Sequence, residues 1–163
     1  MATKWKLIDE VAEKDTQGKD LVCEMATRRP IKTGLPMTIW IDDGKYYIKG
    51  GHWKRVKFQL DKGDPNSDHF GIMDLDGVIR EPQTEIRSLH ASDLTKLRNF
   101  IHNNKKALEH LADVEIDIDD IWPYIIKGGI RASKEQIDAL NAKVDELLAA
   151  EKAREENAKK PKK

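Results

Sequence analysis

The chain has 163 residues, 39% of them hydrophobic and 36% charged, with 29 Lys/Arg balancing 29 Asp/Glu. That is enough for one ordinary domain with a sizeable core, and zero net charge excludes a globally basic nucleic-acid binder, so any polyanion contact must come from a local patch. The single cysteine, Cys23, excludes an intramolecular disulfide, and neither an apolar leader nor a long apolar run is present. The expectation is a cytoplasmic protein without membrane contact, or a virion component if the chain is a phage structural protein.

Residues 1–90 read mostly as strands and turns. Residues 21–25 are short and β-like, and Arg28-Arg29-Pro30 and Gly34-Leu35-Pro36 punctuate the next stretch of chain. Residues 37–41 are β-branched and aromatic, and Asp42-Asp43-Gly44 predicts a hairpin turn returning through residues 46–49. Residues 53–60 form the next strand, residues 61–68 a polar loop, and residues 69–80 a second hairpin turning at Asp76-Gly77. Turns at such regular spacing predict an antiparallel β-meander or small curved sheet.

The period changes at residue 91. Leu94, Leu97, Ile101, Leu108 and Leu111 follow three–four spacing, with Ser92 as the expected N-cap and Asn104 interrupting the stripe. Val114, Ile116 and Ile118 alternate with acids and predict a short strand or the start of a loop. Residues 119–123 then predict a capped short helix, stopped by Gly128-Gly129. Ser133 and Gln136 form a capping box, followed by an apolar seam of Ile137, Leu140, Val144 and Leu147. The fold class is α+β, an N-terminal antiparallel sheet followed by C-terminal helices. Residues 1–131 form the globular domain, residues 132–156 a C-terminal amphipathic helix or arm, and residues 157–163 a disordered basic tail.

Charge is unevenly distributed. Residues 31–60 carry six Lys/Arg against two Asp, whereas residues 61–95 carry three against eight Asp/Glu. Within the basic block, residues 45–57 interleave cations with Tyr46, Tyr47 and Trp53 and contain no acid. Alternation along a two-stranded ribbon turning at Gly50-Gly51 lets Lys45, Tyr47 and Lys49 share one face, and Trp53, Arg55 and Lys57 share a face too, as the wet side of the ribbon. The opposite phase, with Val56, Phe58 and Leu60, is core-like. Cations that neutralise phosphate and aromatics that stack on bases make those six residues the candidate site for single-stranded nucleic acid.

Catalytic and metal chemistry have no support in the residue pattern. No Gly-rich phosphate loop, G-x-S-x-G elbow, or His pair at ligand spacing occurs. In the loop of residues 61–68, Pro65 breaks the register of a calcium site. The expectation is a non-enzymatic binding protein with no cofactor, no catalytic residue and no metal. The first reading is a nucleic-acid binder. The second is a structural or adaptor subunit of a multi-copy assembly such as a phage virion, with Ile137, Leu140, Val144 and Leu147 as the self-association or partner contact. A third is a small antitoxin-like regulator whose arm orders on its partner.

Overall fold

A computed structural model describes residues 25–42, 54–62, 65, 69–81, 89–113 and 115–159. Its sheet has five antiparallel strands in the order β1-β2-β3-β4-β5, each beside its sequence neighbour, as a meander requires. The strands are β1 (Met25–Arg28), β2 (Ile39–Asp42), β3 (Arg55–Gln59), β4 (Phe70–Asp74) and β5 (Ile79–Glu81). A single helical turn, α1 (Pro30–Thr33), joins β1 to β2; Pro30 occupies its first position, where the missing N–H costs nothing. Six further segments complete the α+β fold: α2 (Ala91–Asn103), α3 (Lys105–Ala112), α4 (Ile118–Ile121), a 3₁₀ turn (Trp122–Tyr124), the loop of residues 125–133, and α5 (Lys134–Lys159).

The register explains the core. Ile39 pairs with Phe58 and Ile41 with Val56, and Val56 pairs in turn with Met73, so one sheet face presents all five. They are buried with Leu97, Phe100 and Ile101 of α2, Leu108 and Leu111 of α3, and Leu140 and Val144 of α5. The apolar phase of β3 is therefore the one alternation indicates. The opposite phase is not wet: Lys57, paired between Trp40 and Ile72, is 2% exposed, and its ammonium lies 4.1 Å from the centre of the Phe70 ring. Period two sorts residues onto faces, but only what covers a face decides whether water reaches it.

The β4–β5 hairpin turns where Asp76-Gly77 indicates, with Gly77 at φ 85°. Buried Asp74 holds the turn, its Oδ1 accepting from the backbone N–H groups of Asp76 and Val78 (both 2.9 Å) and its Oδ2 from Arg80 Nε (2.8 Å).

Three local expectations are corrected. Ser92 is not the cap of α2: the helix begins at Ala91, and the backbone N–H of His90 donates to Asp93 Oδ2 at 2.9 Å. Ile118 starts a helix rather than ending a strand, because Asp117 Oδ1 accepts from the Asp119 N–H (2.8 Å) and caps α4. The C-terminal helix runs to Lys159, past residue 156, and three of the seven expected tail residues are helical. The Ser133–Gln136 box forms as expected, with Ser133 N–H donating to Gln136 Oε1 (2.9 Å) and Gln136 N–H to Ser133 Oγ (3.2 Å). No described helix is long and apolar enough to cross a membrane.

Candidate binding surface

Of the six ribbon residues, Lys45, Tyr47, Lys49 and Trp53 lie outside the described residues. Arg55 is half-buried and Lys57 buried. Lys57 is flanked on both sides within the sheet, by Trp40 of β2 and Ile72 of β4, and Arg55 pairs with Asp74 of β4. The seam of α5 is likewise spent within the chain. Leu140 and Val144 are buried in its own core, Leu147 packs against them, and half-buried Ile137 borders a groove shared with α2 and α3. In this conformation Leu140 and Val144 are not presented to a neighbouring subunit. Among the described residues, no three His, Cys, Asp or Glu side chains converge where they could hold a metal ion.

A different surface gathers exposed cations and aromatics, and its construction starts at the asparagines of α2. Asn104, which breaks the apolar stripe, sits buried between α2 and α3. Its amide donates to Phe100 O and Ile126 O (both 2.9 Å), while its Oδ1 accepts from the Ile126 N–H at 2.8 Å. Asn103 donates to Ile130 O at 2.8 Å and accepts from the Ala132 N–H at 2.9 Å, and Asn99 donates to Gly129 O at 2.9 Å. Three neutral side chains thus pin the backbone of residues 126–132 along one face of α2, satisfying polar groups that burial would otherwise leave costly.

The pinned loop meets α1. Gly34 ends α1 in the left-handed region (φ 75°), and the Gly128 N–H donates to Thr33 O at 2.6 Å. A Cβ on Gly34 would stand 3.1 Å from Gly128 backbone atoms, and Gly128 itself has φ 91°. The close approach therefore favours glycine at 34, and the left-handed backbone favours it at 128. An open pocket of about 410 Å³ lies there, bounded by the Gly34–Pro36 turn, Lys96 of α2 and residues 127–130.

Cations and aromatics surround this junction. The Arg28 guanidinium lies 4.6 Å and the Lys127 ammonium 4.4 Å from the centre of the Trp122 ring. Lys127 Nζ also donates to Trp122 O (2.9 Å) and Ile125 O (3.2 Å). Its burial, and then the neighbouring Arg28 charge, push its pKa below the usual lysine range. Tyr124 is 47% exposed beside Lys143, whose ammonium is 4.6 Å from its ring centre. Ile31 and Ile130 stand out at 88% and 83% exposure. Arg29, Lys32, Lys96, Arg131 and Lys134 are all exposed.

Arg28, Arg29, Lys32, Lys96, Lys127, Arg131 and Lys134 form no ion pair with a carboxylate among the described residues. The sequence held a signal for this patch. Residues 25–41 contain Arg28, Arg29 and Lys32 and no acid, and residues 121–134 contain Lys127, Arg131 and Lys134 and no acid. Neither run is dense enough to stand out, and only folding joins them. No family model matches the chain, and comparison with curated proteins and with solved structures returns no match to either.

Proposed function

We propose that the chain is a non-enzymatic binding protein for a polyanion, single-stranded nucleic acid, engaged through the surface of α1, Lys96 and residues 122–134. One observation carries this reading: seven cations gathered from three segments without a carboxylate partner among the described residues. Like charges held together repel one another, and an arriving phosphate chain relieves that repulsion while releasing its own counterions. Cations already lie over the Trp122 ring, so its part is to hold Arg28 and Lys127 in place rather than to stack on a base. Exposed Tyr124, Ile31 and Ile130 offer packing for unstacked bases, which favours a single strand over a duplex. Recognition is by backbone phosphate and therefore tolerant of sequence.

The test is anisotropy of a labelled single-stranded oligonucleotide across a salt series. Log affinity should fall linearly with log salt, and the combined variant Arg29→Glu, Lys32→Glu, Arg131→Glu should make the slope shallower by about 2, at roughly 0.7 per lost phosphate contact. Absent or salt-independent binding would sink the reading. A duplex bound equally well would remove the single-strand preference.

A second reading, a structural or adaptor subunit of a multi-copy assembly, is favoured by the high exposure of Ile31 and Ile130. It is tested by sedimentation at high concentration. A strict monomer, unchanged by Ile31→Ser with Ile130→Ser, excludes self-assembly through those side chains.

A further inference from the structure

The asparagine contacts that pin the loop also orient its donors. A trans peptide sets its C=O and N–H in opposite directions. The Gly129 carbonyl is turned onto Asn99 of α2, so the Ile130 N–H points away from the helix. The Ile130 carbonyl is turned onto Asn103, one helical turn along, so the Arg131 N–H points away as well. Neither N–H has an acceptor among the described residues. Two consecutive N–H groups facing the same way can donate together to one anion.

The neighbouring side chains fit the same ligand. Lys96, Lys127 and Ile130 line the pocket, and no carboxylate among the described residues does. Lys127 spends two of its three donors on Trp122 O and Ile125 O and keeps one. Gly129 lets the loop lie against Lys96, since a Cβ there would collide with that side chain. The volume, about 410 Å³, exceeds what a lone phosphate needs and falls in the range of small-ligand sites.

We infer that this pocket is a phosphomonoester subsite, in which Lys96, Lys127 and the backbone N–H of Ile130, with that of Arg131 next to it in the chain, hold a terminal phosphate while the attached nucleoside lies in the open part of the pocket. The inference rests on the reading of this surface as a phosphate binder and narrows it: a phosphomonoester carries up to two charges, where a phosphodiester carries one. The ligand is either the 5′-phosphorylated end of a strand or a free nucleoside 5′-monophosphate.

The test is an amide NMR titration of the full chain with adenosine 5′-monophosphate, with adenosine alone as the uncharged control. Saturable shifts at Ile130 and Arg131 that adenosine fails to produce, and an affinity about tenfold weaker in Lys96→Met, are expected for loss of one charge-assisted contact. Lys106→Met, which removes a lysine paired with Asp145 elsewhere, should leave the titration unchanged. Unmoved Ile130 and Arg131 amides, or a Lys96→Met titration equal to the parent, overturn the subsite. Comparing 5′-phosphorylated with 5′-hydroxyl oligonucleotides then separates the two ligand sources: tighter binding of the phosphorylated strand marks a strand-end site, and equal binding alongside a positive monophosphate titration marks a free-nucleotide site. Failure is separable too. Salt-dependent binding of a 5′-hydroxyl oligonucleotide without a monophosphate response retains the polyanion reading and removes the subsite, and the reverse pattern retains the subsite alone.

Discussion

Two cation-bearing regions of this molecule are built on opposite plans. Around the β4–β5 hairpin, Arg80 is paired with Asp74 and Lys105 with Asp76 (both 2.8 Å), while Lys62 lies 3.3 Å from Asp93. Around α1 and residues 126–134 the cations have no carboxylate partner among the described residues, and neutral asparagines hold the backbone in place. Carboxylates that fix a turn also cancel nearby positive charge, whereas amides fix a loop without doing so. The contrast separates charge used to fold the chain from charge left for a ligand.

The contrast is tested hardest at Asp74. Asp74→Ala should cost about 2–4 kcal/mol in urea unfolding, since it strands two turn N–H groups and the Arg80 guanidinium. Oligonucleotide affinity measured on the folded variant should hardly move. The same carboxylate sets an acid dependence. Burial raises the Asp74 pKa, but the bonds from Val78, Arg80 and Asp76 together outweigh it and leave it below the usual value of 3.8. The Asp93 carboxyl is also lowered, chiefly by the His90 backbone bond. A folded pKa below the unfolded one gives stability that is present above about pH 4 and is lost as pH falls through the folded values. Urea midpoints measured from pH 6 to pH 2 should therefore decline below pH 4, and less steeply in Asp74→Ala.

Asn104→Ala probes the amide-held region in the same way. It removes three side-chain bonds at a buried position and should cost about 1–3 kcal/mol. It should also weaken oligonucleotide binding although no charge is lost, because loop residues 126–132 lose an anchor. Full affinity in a folded Asn104→Ala protein would show that preorganisation of the loop is irrelevant to binding. Gly128→Ala should follow at about 1–2 kcal/mol, the cost of a side chain at φ 91°. Smallest is the exposed pair Lys105–Asp76, where Lys105→Met should change stability by less than about 1 kcal/mol. Reversing Arg29, Lys32 and Arg131 should change unfolding no more than that while abolishing most binding. A large stability loss in that variant would mean that its cations are structural after all.

Parts of this picture were legible along the chain because they are local. The hairpin at Asp76-Gly77, the Ser133–Gln136 box and the core phase of Val56 and Phe58 each depend on residues within a few positions of one another. Asn104 was visible as a flaw in a helical stripe, but its partner Ile126 was not, because a side-chain bond to a distant backbone leaves no periodic mark. The candidate site was legible least. The ribbon drew attention through density, with basic and aromatic residues crowded into residues 45–57. The described patch is sparse in sequence and dense only in space.

Local order along the chain was enough to establish the α+β class, the Asp76-Gly77 turn and the apolar faces, since turn chemistry and periodicity act over a few residues, while the expected Asp42-Asp43-Gly44 and Gly50-Gly51 turns reach outside the described residues. What those faces meet was settled by packing. It flanked Lys57 on both sides within the sheet and buried it, folded the seam of α5 onto the core, and joined two acid-free segments at the Thr33–Gly128 bond. Whether a charge is paired, buried or left facing water depends on neighbours brought together by folding, and so a binding surface made from separated segments becomes visible only once the chain has packed.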